Sequence, residues 1–362
     1  MAIRYESRSM INVLVVEDSP VVREFLVQIL SSDPDITVVA TACDGEEALD
    51  AVRRHRPDVI TMDIHMPKMN GLEATRLIME TTPTPIVIVS GSESIREVVT
   101  TFDAMEAGAL AVLGRPSGIG HPHYHVTARD MVQTVKLMSE VKVVRRWPRM
   151  QNPEPASRSV SMGLLRQSAQ TRLVVMGAST GGPPAIEAIL AALPKNFPVP
   201  ILIVQHMSAG FIGGFVRWLA HSSSLPVHVA THADLPLPGH VYIAPDDYQM
   251  KVQHDGKIVL TKDEPEYGLR PSISYLFRAV AEVYGCSAVA GLLTGMGLDG
   301  AQELLLLKEK GAVTFAQDKE SSIVHGMPGE AIKLDAATLV LPLDKIAAVL
   351  TNLMNHREKN RA

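Results

Sequence analysis

Leu293-Thr294-Gly295-Met296-Gly297-Leu298-Asp299-Gly300 is the stretch on which the fold and chemistry of this 362-residue chain turn. An apolar run at residues 288–293 precedes it, and a helical pattern at residues 301–310 follows it. Gly295, Gly297 and Gly300 therefore spell G-x-G-x-x-G between a strand and a helix. Asp318 closes the next apolar run, 312–316, roughly twenty residues on, where a dinucleotide fingerprint places its acidic residue. Asp299 offers a second reading. A carboxylate beyond a strand end can complete a hydrolase triad, here with Ser179 and His206.

The surrounding pattern supports a sheet edge that suits either reading. Residues 173–176, 201–204, 288–293 and 313–315 are short apolar runs flanked by helical patterns, which predicts a doubly wound parallel sheet. Residues 241–244 and 250–261, with an Asp255-Gly256 turn, read as an antiparallel hairpin insert. Gly177-Ala178-Ser179-Thr180-Gly181-Gly182 satisfies G-x-S-x-G, where small neighbours let a serine sit on a sharp turn with its hydroxyl exposed. A glycine-rich turn of this kind also suits a phosphate-binding loop. Gln205-His206 closes a neighbouring run, which brings imidazole and hydroxyl to one edge. The order Ser, His, Asp departs from the Ser, Asp, His of ordinary α/β-hydrolases, but geometry rather than order defines a triad. The dinucleotide reading uses three glycines and Asp318, leaves Ser179 and His206 without a role, and puts the Asp299 charge inside a pyrophosphate loop. Residue pattern alone leaves both readings open.

The first half repeats the α/β alternation. Residues 11–16, 36–40, 59–62, 86–89 and 110–113 read as buried strands, with helices at 21–30, 46–55, 72–80 and 95–107. Five such units predict a parallel sheet with helices on both faces. Glu17 and Asp18 follow the first strand and Asp63 the third, positions that converge at the carboxyl edge of such a sheet. Three carboxylates there repel one another unless a divalent cation with hard oxygen ligands, Mg²⁺ above all, neutralises them. Ser90 ends the fourth strand with a hydroxyl and Arg115 the fifth with a cation. The set suits acceptance of a phosphoryl group by Asp63, with charge on its oxygens offset by metal and Arg115.

An amphipathic pattern runs from Thr127 to Arg146, with Met131, Val135, Met138 and Lys142 on one stripe, and residues 147–170, rich in Pro, Ser and Arg, read as a flexible linker. His121, His123 and His125 have no carboxylate or cysteine partner nearby and read as a solvated loop before that helix. The expected division is a domain at 10–128, a helix and linker at 129–170, and a second domain at 171–355. A hydrophobic content of 46% with 20% charged residues describes an ordinary globular protein, and a net charge of −5 speaks against a nucleic-acid-seeking surface. Cys43 and Cys286 stand in different halves, so neither a disulfide framework nor a zinc spacing exists. The polar first ten residues hold no signal core, and no apolar run reaches the ~20 residues of a membrane span. A cytoplasmic location, with no membrane insertion, is the expectation.

Val15-Val16-Glu17-Asp18-Ser19, Asp63-Ile64-His65-Met66-Pro67, Met69-Asn70-Gly71, Ser90 and Arg115-Pro116 give the first half its resemblance to the receiver domain of two-component response regulators. The resemblance implies a flavodoxin-like fold with Asp63 phosphorylated by a sensor histidine kinase. It also implies Mg²⁺ held by Asp18, Asp63 and the His65 carbonyl, with Glu17 acting through water. Two departures stand out: the family usually has lysine where Arg115 stands and an aromatic where Val112 stands. A planar fork replaces an ammonium, and no ring is present to swing.

Gly177 to Gly182, Gln205-His206-Met207, Ile243-Ala244-Pro245, Arg270-Pro271-Ser272, Leu293 to Gly300, Ala316-Gln317-Asp318 and Gly326-Met327-Pro328 resemble the chemoreceptor protein-glutamate methylesterases, the CheB family, over residues 172–350. That resemblance implies a triad of Ser179, His206 and Asp299. His206 would take the serine proton as the hydroxyl attacks a side-chain γ-carbonyl, with Asp299 orienting the imidazole. Methanol would leave a glutamate methyl ester on a chemoreceptor cytoplasmic helix, or ammonia a glutamine, without a cofactor for the hydrolysis. Backbone N–H groups of the glycine loops, Met296 among them, are the oxyanion-hole candidates. Arg270 would either dock the receptor helix or make local ion pairs. The unphosphorylated receiver would cover the cleft, and phosphorylation would shift the balance to an open arrangement. A non-catalytic scaffold that drains phosphoryl groups is the alternative of another class, and an NAD(P)-binding oxidoreductase a third.

Overall fold

The structure is a computed structural model that describes residues 10–91, 95–141, 143 and 171–359. The chain divides into two units, Met1–Asn152 and Pro153–Ala362.

The first unit alternates strand and helix: β1 (Ile11–Val16), α1 (Pro20–Ser31), β2 (Ile36–Ala42), α2 (Gly45–His55), β3 (Val59–Met62), α3 (Gly71–Thr81), β4 (Ile86–Ser90), α4 (Ile95–Glu106), β5 (Ala111–Gly114) and α5 (Tyr124–Ser139). The strands pair in the order β2-β1-β3-β4-β5, all parallel, which is the flavodoxin-like doubly wound sheet expected. Every residue of β3 and β4 is buried, as strands covered by helices on both faces must be. Helix starts are fixed locally: the Asp44 and Asn70 side chains accept the Glu47 and Glu73 N–H groups at 2.9 Å. Strand order reverses between β1 and β3, so the residues that follow these two strands emerge side by side.

Helix α5 starts at Tyr124, earlier than the pattern from Thr127 suggests, so His125 lies in the helix rather than in the loop before it. Met131, Val135 and Met138 form its buried stripe, and Lys136 Nζ holds Asp33 at 2.9 Å and Asp35 at 2.6 Å. The helix ends at Ser139. Lys142 and the linker expected at 147–170 lie outside the described residues.

The second unit comprises β6 (Leu173–Ala178), α6 (Gly182–Ala192), β7 (Ile201–Gln205), α7 (Ile212–Ser222), β8 (Val227–Val229), β9 (Val241–Ile243), β10 (Gln249–Val252), β11 (Ile258–Thr261), α8 (Ile273–Val283), β12 (Ala288–Leu292), α9 (Ala301–Glu309), β13 (Val313–Gln317), α10 (Met327–Lys333), β14 (Leu339–Leu341) and α11 (Leu343–Lys359). A parallel sheet runs β14-β13-β12-β6-β7-β9-β8. The hairpin insert is β10 with β11, an antiparallel pair closed beyond Val252 and Ile258. Residues 241–244 are not part of it: β9 runs parallel between β7 and β8 in the main sheet. The edge strands β8 and β14 span three residues each and are partly exposed, too short for a period to show. Strands β12, β6 and β7 are central and buried throughout, and their carboxyl ends carry the residues of interest.

Candidate functional site

Strands β6 and β7 run in register from Val174 against Ile201 to Ala178 against Gln205, so Ser179 and His206 leave the sheet as neighbours. The His206 N–H reaches the Ala178 carbonyl at 2.9 Å, continuing the ladder one step past the strands. Ser179 begins the turn into α6, whose N-cap Gly181 has φ 76°, a left-handed conformation that glycine adopts without steric cost. The serine thus sits at the positive end of a helix.

Asp299 comes to the same edge from the loop after β12. It is 2% exposed, and its Oδ2 lies 2.9 Å from His206 Nε2. The imidazole N–H points off that oxygen, so the pair is at ion-pair distance without full hydrogen-bond alignment. With Nε2 turned to Asp299, Nδ1 is the nitrogen left for a hydroxyl. The carboxylate is also seated on the first turn of α8. Oδ2 accepts the Ile273 N–H at 2.7 Å, and Oδ1 accepts the Ser274 N–H and the Ser272 hydroxyl, each at 2.9 Å. Burial by itself would raise the Asp299 carboxyl. The His206 imidazole and the Ser274 donors outweigh it and bring the carboxyl down to about 2.

These bonds remove the dinucleotide reading. The loop N–H groups that would cradle a pyrophosphate are spent within the fold: Thr294 on the Gln317 side chain at 2.8 Å, Gly295 on the Val324 carbonyl at 2.9 Å, and Gly300 on the Ser274 hydroxyl at 2.8 Å. Asp318 is used in its own turn, accepting the Ser321 N–H at 3.0 Å and hydroxyl at 2.6 Å. Gly295 has another reason to be glycine: a Cβ there would lie 2.7 Å from Ser179 Cβ. The loop passes directly against the serine.

A buried amide and hydroxyl lattice supports this edge. Gln205, 1% exposed, donates from Nε2 to the Ser179 carbonyl at 2.9 Å and the His206 carbonyl at 2.7 Å. Thr294 Oγ1 donates to the Thr180 carbonyl at 2.9 Å, and the Ser179 N–H reaches the Thr294 carbonyl at 3.0 Å. Pattern reading gave neither Gln205 nor Gln317 a role. A signal existed: β7 (ILIVQ) and β13 (VTFAQ) are wholly buried runs that each end in glutamine, and buried amides need partners. Met296 and Leu298 stand exposed on the loop. Among the described residues Arg270 makes local bonds: it pairs with Asp247, and its Nη1 donates to the Lys262 and Asp263 carbonyls at 3.3 Å.

In the first unit the predicted acidic set does converge. Ligand atoms of Glu17, Asp18 and Asp63 lie within 4.8 Å of one another, Glu17 and Asp63 buried and Asp18 exposed. Burial, then the nearby Asp63, push the Glu17 carboxyl up to about 7, and burial likewise raises Asp63. Such a set fits a hard divalent cation, which supplies the positive charge that these oxygens lack. The histidine run 121–125 is not among the converging ligand groups of the described residues. Ser90 closes β4 at 2% exposure, Val112 lies in β5, and His65, two residues past Asp63, is exposed between buried Ile64 and Met66. Arg115, expected to face a phosphoryl group, is bound to Glu17, with Nη2 3.1 Å from Oε2. A Cβ at Gly91 would lie 2.9 Å from the guanidinium carbon, so the glycine leaves room for the larger head group.

The two folds and their edges define a class, a response-regulator receiver joined to an α/β hydrolase-type domain. Comparison with known proteins agrees with both halves. Residues 13–121 match the response regulator receiver domain, and residues 174–350 match CheB methylesterase. A protein of Nitrosospira multiformis named protein-glutamate methylesterase/protein-glutamine glutaminase is 74% identical over 352 residues, covering 97% of this chain and 99% of that protein. A namesake from Geobacter metallireducens is 55% identical, covering 95% of this chain and 99% of its own length. The crystal structure of the Thermotoga maritima CheB methylesterase catalytic domain is 39% identical, covers 51% of this chain and 98% of that one, and has a TM-score of 0.49. The chain belongs to the CheB methylesterase family, in its receiver-bearing form. Among the described residues, no helix is long and apolar enough to cross a membrane.

Proposed function

We propose that this protein hydrolyses glutamate methyl esters on chemoreceptor cytoplasmic helices, and deamidates glutamines there, under control of receiver phosphorylation by a sensor histidine kinase in the cytoplasm. The division expected at residue 128 falls inside α5, whose Met131, Val135 and Met138 are buried, so the receiver would run through that helix, followed by a linker and a catalytic domain at 171–355. The observation that carries the reading is the approach of His206 Nε2 to Asp299 Oδ2 at 2.9 Å beside the Ser179 turn.

Ser179 is the nucleophile, His206 the general base and Asp299 the residue that orients the imidazole. Nδ1 of His206 takes the hydroxyl proton as Ser179 Oγ forms a bond to the ester γ-carbonyl carbon. The carbonyl electron pair moves onto oxygen, where the Met296 N–H is a candidate donor. Collapse breaks the bond to methoxide, which leaves as methanol with the proton from His206. Water, deprotonated by the same imidazole, then releases the carboxylate and returns the proton to Ser179. With glutamine the leaving group is ammonia and the steps are the same. Asp299 stabilises the imidazolium that forms twice in this cycle.

In the receiver, Asp63 accepts the phosphoryl group, and Ser90 and Arg115 take the switch positions. Asp18, Asp63 and the His65 carbonyl would hold Mg²⁺ directly, and Glu17 through water. When bound, the ion supplies charge neutralisation at the phosphoryl oxygens.

Methanol release from methylated receptor membranes tests both parts. Ser179→Ala should abolish release while the protein stays folded. Asp63→Asn should keep basal release and lose the stimulation given by a phosphodonor. Substantial turnover by the first variant removes the triad, and undiminished stimulation of the second removes the switch.

A further inference from the structure

The seat of Asp299 is more selective than an ordinary buried carboxylate requires. Its two oxygens are sorted. Oδ2 faces His206 and takes one N–H from α8, whereas Oδ1 faces away from the imidazole and is held by the Ser274 N–H and the Ser272 hydroxyl. A carboxylate that could rotate about its Cβ–Cγ bond would present either oxygen to the ring at varying distance. Two donors on Oδ1 remove that freedom.

Ser272 and Ser274 divide the work. Ser272 is fully buried, and its hydroxyl donates to Asp299 while accepting the Tyr275 N–H at 3.4 Å as the α8 N-cap. The Ser274 hydroxyl instead accepts the Gly300 N–H at 2.8 Å and donates to Glu303 Oε2 at 2.7 Å, which fixes the turn that carries Asp299. Glu303 is in turn bridged by Arg278 at 3.2 Å, and Arg278 also holds Glu266 at 2.9 Å. Of the two hydroxyls, that of Ser272 acts on the carboxylate and that of Ser274 on the backbone beside it, while the Ser274 N–H joins Ser272 on Oδ1.

We infer that Ser272 is a positioning residue for catalysis, whose hydroxyl locks the Asp299 carboxylate so that Oδ2 meets the His206 imidazole; this rests on the triad proposed above. Its contribution belongs to the step in which the imidazole becomes charged, so its loss should appear in kcat rather than KM.

The experiment compares wild type, Ser272→Ala, Ser272→Thr and Ser179→Ala by two readouts. The first is methanol release from methylated receptor membranes. The second is the rate at which a fluorophosphonate modifies Ser179, located by mass spectrometry, which needs no receptor. Ser272→Ala should lower kcat and the labelling rate about tenfold, with KM within about twofold, as expected for one lost bond to a charged group. Ser272→Thr, which keeps the hydroxyl, should recover most of both. Wild-type kcat and labelling in Ser272→Ala would overturn the inference, as would a threonine variant with a wild-type melting temperature that is no faster than the alanine variant. Failure of the triad itself looks different: Ser179→Ala would stay active, or the probe would not mark Ser179 in the wild type.

Discussion

Asp63 and Asp299 are both buried carboxylates beyond the ends of parallel strands, and burial pushes both in the same direction. What differs is the supply of donors. Around Asp299 the His206 imidazole and then the Ser274 donors at the start of α8 outweigh burial, and the carboxyl is held down at about 2. Burial outweighs the compensation at both acids of the first unit, which comes first from the Ile64 N–H and then Arg115 at Asp63 and from Arg115 at Glu17, and Glu17 stands at about 7. A carboxylate that is already satisfied is an orienting group; a pair left short of positive charge is one whose donor set fits a divalent cation. The same fold class, with parallel strands and an edge of loops, yields either outcome according to which helix start faces the acid.

The most drastic way to break this contrast is to neutralise the satisfied carboxylate. Asp299→Asn keeps the size but removes the charge that supports the imidazolium, and should lower methanol release on the order of 10³- to 10⁴-fold with the fold retained. A loss of less than tenfold would make Asp299 a structural acid.

A smaller effect, of opposite sign in the two units, is expected in stability. Glu17 has its carboxyl raised in the folded state from 4.5 to about 7, so the unfolded chain ionises first and stability falls as pH rises through that window, by about 3 kcal/mol in all. Asp299 is lowered from 3.8 to about 2, so its contribution of about 2 kcal/mol is present above 3.8 and is lost as pH falls toward 2. In metal-free buffer, hydrogen exchange in β1 and β3 should therefore show Glu17→Gln more stable than wild type at pH 8 and equal to it near pH 4. Exchange in β12 should show Asp299→Asn less stable at pH 7, with the gap closing in acid. Millimolar Mg²⁺ should shrink the Glu17 difference, since a bound cation favours the ionised form. The same sign in both units would contradict the account.

Much of this was legible in the sequence because it is local. Alternating runs revealed both sheets, and acids or small residues at strand ends marked both edges. Chain-distant partnerships were not legible. Asp299 is bound by Ser272 and Ile273, and Thr294 by Gln317, pairs separated by more than twenty residues with no period to link them. Strand β9 reads as part of the hairpin because a three-residue strand carries no orientation signal, and only its pairing with β7 and β8 reveals it as parallel. The strand-end position of Arg115 predicts a phosphoryl contact. Its reach to Glu17 depends on Gly91, a neighbour that a strand-end rule does not consult.

The claim that Ser179 and His206 act as one device is tested most directly by methanol-release rates of Ser179→Ala, His206→Ala and the double variant. Residues that serve a single step are not additive, so each single change should cost about as much as the double. If the two losses instead multiply, the serine and the histidine work independently, and the triad is not the catalytic unit.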